Sequence, residues 1–316
     1  MIRVGIVSCL NLVIQQRTYN MAKISYSQYS QYATCPKRWK LNYIDKLGTY
    51  TQSIHTLFGT AMHEVLQSYL TIMYEESAAA AEKEDWGMHL KNFMAKEYRK
   101  AMAMGQEPDF TNAKEMGEFY EDGLAIIDFF IKNRGKYFAK RNFELVGVEI
   151  PLSQKMDCNE NINFIGYVDL VIKDLRDNTY EVIDIKTSTQ GWNKYQKADK
   201  VKTSQLVLYK SYYAKQFDVP INNIRVKYFI VKRKLYENLD FPQKRVQLFE
   251  PAAGTPTVNK VARSVEEFVK HGFNEDGTHN VEGNYIAFAG KNNKNCKYCE
   301  FKDQLDLCPK KERIKE

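Results

Sequence analysis

The spacing of apolar residues changes period several times along the chain, and each change marks an element. Phe58–Met73 repeats at helical spacing, with Ala61, Val65, Leu66 and Tyr69 on one stripe. Upstream, Ser25–Ile44 reads as a helix entered through Ser25 or Ser27, with Pro36 disturbing its middle. Residues 78–132 are rich in Ala, Glu, Lys and Met at helical period, interrupted by Gly and Pro near 105–111. The period then drops to two. Phe143–Leu152 alternates, as do Phe164–Ile172 and Thr179–Lys186, which the polar turn at Asp174–Asn178 joins as a hairpin. Lys200–Phe217 returns to helix and stops before Val219-Pro220. Ile224–Lys232 and Arg245–Phe249 read as strands, and Ser264–His271 as a short helix capped by Ser264 with Glu267 three residues on. This order predicts an α/β fold: one core carrying a large helical insertion near its front.

The hairpin carries candidate chemistry. A turn centred between Arg176 and Asp177 sets Asp169 opposite Asp184, and facing residues of an antiparallel pair lie about 5 Å apart. Lys186 is two residues beyond Asp184 and shares its face. Facing like charges destabilise a sheet unless something of opposite sign sits between them. Hard oxygen ligands of this kind suit Mg²⁺ or Mn²⁺. Taken alone, the hairpin also fits an ordinary solvated charged face on which Lys186 neutralises Asp184.

The 316 residues, 44% hydrophobic and 13% aromatic, describe a globular chain able to bury a sizeable core. No apolar run approaches the length of a membrane span, Val4–Ile14 is too short for a signal peptide, and a cytoplasmic protein is expected. Residues 1–22 read as a dispensable extension. The net charge of +7 is modest but unevenly spread. Residues 191–234 hold eleven Lys/Arg against Asp199 and Asp218, whereas residues 64–130 hold fourteen acids against six bases. Lysines interleaved with Trp192, Tyr195, Tyr209, Tyr212 and Tyr213 suit a polyanion with stackable bases, or else a solvated helix face.

Of the six cysteines, Cys296, Cys299 and Cys308 form Cys-x2-Cys-x8-Cys. Three thiols in so short a loop cannot all pair with one another. With Cys35, in "TCPKRW", they would make a four-thiolate site for Zn²⁺ or an iron–sulfur cluster, joining the two ends of the chain. Cys9 and Cys158 read as ordinary thiols.

Together these segments resemble the RecB-like branch of the PD-(D/E)XK nucleases, in particular the AddB-type and CRISPR-adaptation nucleases with an iron–sulfur staple. "ISYSQYSQYATCPKRWKLNYIDKL" is similar to their opening helix, and "FGTAMHEVL" to the helix bearing a metal-binding histidine, here His63. "GYVDLV" and "VIDIKTS" resemble the two catalytic strands, "SQLVLYKSYY" the Gln-x3-Tyr helix that follows, and "CKYCEF…LCP" the closing cluster loop. Two departures stand out: Asp184 where many relatives carry Glu, and the eight-residue gap before Cys308.

The resemblance implies a restriction-endonuclease-like core, a mixed central sheet flanked by helices. It implies a single domain over 23–316, with a helical insertion at about 74–140 and a cysteine loop at 296–308. It implies a metal-dependent deoxyribonuclease, an exonuclease of DNA processing, repair or recombination. His63, Asp169, Asp184 and the Ile185 carbonyl would hold Mg²⁺ or Mn²⁺, and Lys186 would serve the attacking water. Gln205 and Tyr209, four apart on one helix face, would position substrate or Lys186, and Glu149 would play an outer role. Cys35, Cys296, Cys299 and Cys308 would hold [4Fe–4S] in preference to Zn²⁺. The implied partners are DNA, single-stranded or with free ends, and a helicase or recombination protein; the alternative is a non-catalytic, Zn-stapled DNA-binding subunit.

Overall fold

A computed structural model describes residues 21–49, 52–236 and 243–315. Nearly all of the expected N-terminal extension, Cys9 included, lies outside the described residues. The chain opens with strand β1 (Ala22–Ser25), helix α1 (Tyr26–Thr34) and helix α2 (Pro36–Trp39), which a π-turn extends to Ile44. Ser25 caps α1 by accepting from Gln28 N, and Pro36 starts α2, so the expected long helix is two short ones meeting at Cys35. Then come α3 (Ile54–Glu75), α4 (Ala78–Ala81), α5 (Trp86–Ala103) and α6 (Ala113–Asn133). Ser53, Ser77, Asp85 and Asn112 each cap one of these helices.

The strands β2 (Phe143–Met156), β3 (Asn159–Asp174) and β4 (Thr179–Ser188) follow, then α7 (Lys194–Ala198), α8 (Lys200–Phe217), β5 (Ile224–Lys232) and β6 (Val246–Phe249). The chain closes with α9 (Thr255–Gly272), β7 (Ala287–Phe288) and β8 (Arg313–Ile314). The short helix expected from Ser264 is instead an 18-residue helix begun by Gly254 and Pro256. Ser264 lies in its middle, where its hydroxyl meets Tyr29 at 3.0 Å.

Among the described residues six strands form one mixed sheet: β1 pairs parallel with β3 and β4 with β5, and the remaining pairs are antiparallel. Helices cover both faces, as the α/β reading requires. On one, α3, α5 and α6 pack over Leu170, Ile172, Ile183, Ile185 and Phe229. On the other, α1, α8 and α9 pack over Val168, Val171, Val182, Tyr228 and Ile230.

Side chains two apart on a strand normally share a face. Here Val168 joins the core under α8 and Leu170 the core under α3, and on the neighbouring strand Ile150 and Val148 divide the same way. Both strands therefore change face across the opposed residues Asp169 and Glu149. Glu149 makes the turn with a left-handed backbone, φ 47°, a conformation costing about 1–3 kcal/mol in a non-glycine residue and concentrated at functional sites.

Candidate active site

The sheet has a window at this point. Along one edge of β3, β1 pairs residues 162–165 and β4 pairs residues 170–174, so residues 166–169 carry no strand partner there among the described residues. The pairing of Leu170 with Ile183 is the register expected from the turn, and Asp169 and Asp184 follow where the ladder ends. The Asp169 carboxylate takes over from the missing strand: its Oδ2 accepts the Ile185 N–H at 2.7 Å.

The α3 helix crosses this window. His63 Nδ1 stands 3.5 Å from Asp169 Oδ2. One helical turn further, Gln67 donates to Glu149 Oε1 at 2.7 Å and to the Asp169 carbonyl at 3.0 Å. Gln67 was not foreseen, although its place four residues after His63 on one helix face was the available signal. Gly59 lets the helix approach: a Cβ there would meet Thr187 Oγ1 at 3.0 Å.

From the opposite side, Lys186 Nζ reaches Asp184 at 2.9 Å and 2.8 Å. Asp184 is 1% exposed, and its Oδ2, despite that near approach, has no well-angled hydrogen bond among the described residues. Gln205 Nε2 lies 3.4 Å from the Tyr209 hydroxyl, and the Tyr209 ring rests on Gly166, where a Cβ would come within 3.0 Å of Cε1. A second tyrosine, Tyr26, also escaped the sequence reading; its hydroxyl donates to the Val201 and Lys202 carbonyls at 3.3 and 3.4 Å.

Burial sets the electrostatics. It pushes the carboxyls of both Asp169 and Asp184 up to about 6, against the pull of Lys186. The same burial, with Lys186 beside it, drives His63 down to about 4, so its imidazole is neutral. Burial also disfavours the Lys186 ammonium, but Asp184 and Asp169 outweigh it and hold the amine above its ordinary range. Burial and nearby Asp184 keep Tyr26 protonated.

Among the described residues no three His, Cys, Asp or Glu side chains are arranged as a ready metal cage. The two aspartates are engaged by different neighbours, Asp169 by the Ile185 N–H and Asp184 by Lys186. The donor set nevertheless fits a hard divalent cation: an imidazole, two carboxylates, and an oxygen of Asp184 that is buried without a proper partner.

The four cysteines singled out in the sequence do not form a metal-holding cluster among the described residues. Cys35, Cys296, Cys299 and Cys308 line one cavity of about 20 Å³, and none of the five described cysteines is in a disulfide. Cys35 Sγ accepts the Phe288 N–H at 3.3 Å. Hydrogen bonds already lace the two ends, from Asn295 to the Thr34 carbonyl at 2.9 Å and from Lys37 N to the Ile286 carbonyl at 3.0 Å.

The basic segment proves narrower than its composition. Lys215, Arg225, Lys227, Arg233 and Lys234 are paired with acids, and Lys210 is buried against the Ala253 carbonyl. Of the cations left, Lys194, Lys197 and Lys202 lie over the rings of Tyr195, Phe249 and Trp192. Among the described residues no helix is long and apolar enough to cross a membrane.

Residues 23–308 match the PD-(D/E)XK nuclease superfamily. No curated protein matches the chain. A solved structure named "Putative exonuclease", from Eubacterium rectale, shares 11% identity over 83% of this chain and 84% of its own, with a TM-score of 0.44, a likeness too distant to bear on substrate or mechanism.

Proposed function

The chain belongs to the PD-(D/E)XK nuclease superfamily, and we propose that within it the protein is a metal-dependent deoxyribonuclease that degrades DNA from its ends. The observation that carries this reading is the window in the sheet, where His63, Asp169, Asp184 and Lys186 converge from three elements. Nucleases of this superfamily usually use Mg²⁺ or Mn²⁺. His63, Asp169, Asp184 and the Ile185 carbonyl would hold the ion. When bound, it supplies a Lewis acid for the phosphate and lowers the pKa of water.

The protein's own contribution follows from the site. His63, neutral above about pH 4, keeps a lone pair free for a ligand. Lys186, held as an ammonium by two carboxylates, orients the attacking water and offsets charge growing on the phosphate. Gln205 and Tyr209 steady the Lys186 side of the site, and Gln67 holds Glu149 and the Asp169 backbone in place. The surface at α7 and the start of α8, with lysines over aromatic rings, suits the backbone and bases of a DNA strand.

Cys35, Cys296, Cys299 and Cys308 would supply an all-sulfur donor set, which suits [4Fe–4S] or, less well, Zn²⁺; we assign them the cluster and place the protein in the AddB-type branch. The same reading makes 23–316 one nuclease domain, cytoplasmic, working with a helicase or recombination partner. The test compares the wild type with Lys186→Ala on end-labelled linear and circular DNA in Mg²⁺ or Mn²⁺. Loss of cutting in the variant, with circles untouched by the wild type, is expected. Equal cutting by both proteins would overturn the assignment.

A further inference from the structure

We infer that the cavity just beyond Lys186, at the C-terminal end of β4, is a second phosphate site that holds the phosphate neighbouring the scissile one. This rests on the nuclease reading and adds to it a seat for the substrate's next charge. The cavity is about 200 Å³ and is lined by Thr187, Ser188 and Thr189, by His55 and Phe58 from the start of α3, and by Phe119 and Arg233. None of these residues is acidic. At about 3.3 Å per residue, the two-residue step from Lys186 to Ser188 spans about 7 Å, comparable with one phosphate step along an extended strand.

The donors match a phosphate. Arg233 is fixed on one side by Asp122 at 2.5 Å and lies 3.9 Å over the Phe119 ring. Its Nε is sealed from solvent with no hydrogen-bond partner among the described residues. A charged donor left without an acceptor is costly, and the guanidinium fork is shaped for phosphate oxygens. Asp122 also takes Lys234 at 2.9 Å, so one carboxylate answers two cations and positive charge is left over. Ser188 Oγ is engaged with Gly191 in the turn, while Thr187 and Thr189 also line the cavity. The exposed His55 imidazole stands edge-on to the same Phe119 ring, 5.2 Å away. A merely structural ion pair tying α6 to β5 would explain Arg233 with Asp122. It would not explain the orphaned Nε.

The test is equilibrium binding, independent of turnover. Lys186→Ala protein in Mn²⁺ is titrated into a fluorescent short single-stranded oligonucleotide ending in either a phosphate or a hydroxyl. Arg233→Gln is then added, and separately His55→Ala and Thr189→Val, whose wild-type residues are exposed and which keep the test open should Arg233→Gln fail to fold. About tenfold weaker binding in Arg233→Gln is expected, the equivalent of one charge-assisted hydrogen bond, with smaller losses in the other two. Loss confined to the phosphate-ended oligonucleotide identifies a terminal phosphate, and equal loss on both identifies an internal one. Unchanged binding in all three variants overturns the site while leaving the nuclease reading intact. No binding by the parent removes both.

Discussion

Asp184→Asn is expected to stabilise the metal-free protein at neutral pH while abolishing its activity. Burial raises the Asp184 carboxyl from 3.8 to about 6 even with Lys186 beside it. At about 1.4 kcal/mol per unit, keeping it ionised in the fold costs up to about 3 kcal/mol. Asp169 titrates with it, so the figure is an upper bound for either group alone. The sign follows from proton counting. Between the unfolded value of 3.8 and the folded value near 6, the native state holds more protons than the unfolded one. Wild-type stability therefore falls as pH rises through that window, and above it the cost is fully present. Asparagine mimics the protonated acid and escapes the cost. Urea unfolding in chelator should show the two proteins alike below about pH 4 and the variant ahead by about 1–3 kcal/mol at pH 7. Saturating Mn²⁺ should reverse the order, because binding to the folded wild type stabilises it by mass action. A variant less stable than wild type at pH 7 in chelator, or a gap that does not change with pH, would refute the reasoning.

Two further outcomes can be measured on the same protein. Cleavage should fall as pH drops through about 6, where Asp169 and Asp184 take up protons, and raising Mn²⁺ should move that acid limb to lower pH; a limb indifferent to metal concentration would place the titration elsewhere. Cys299→Ser should abolish broad visible absorption of anaerobically purified protein and cost about 2–5 kcal/mol of stability, as for loss of a long-range cross-link, and a colourless wild type containing zinc would replace the cluster with Zn²⁺.

Much of this site is legible in the sequence because the elements bearing it follow simple periods. Lys200–Phe217 and Ile224–Lys232 are framed by Asp199 at one cap, Pro220 between them and unbroken alternation, and both match residue for residue. The hairpin register follows from the turn alone as far as Leu170 with Ile183, but the ladder ends there, so Asp169 and Asp184 are not the facing pair the turn predicts. The sequence shortens α9 because Ser264 followed by Glu267 imitates a capping box, while the true start rests on Gly254 and Pro256 and the Ser264 hydroxyl instead meets Tyr29 in mid-helix. Strand β1 could not be read: four residues carry too little pattern, and its partner in β3 lies far along the chain. The breadth of the basic segment was overstated because composition counts cations without showing which ones the fold neutralises.

The change of face at Asp169 links these successes to what pattern could not foresee. Regular alternation predicts Val168 and Leu170 on one side of the sheet, yet they enter opposite cores. A strand that kept its alternation through residue 169 would continue its ladder with β4 and leave Ile185 N–H to a backbone carbonyl. By turning there, β3 gives that N–H to the Asp169 carboxylate and brings the acid toward α3, where His63 stands. The strain is borne by Glu149 on the facing strand and is offset by the Gln67 amide, which binds both Glu149 and the Asp169 carbonyl. The irregularity that defeats the sequence pattern is thus what assembles the acids, and Gln67 is the residue through which helix and strands are held in that arrangement.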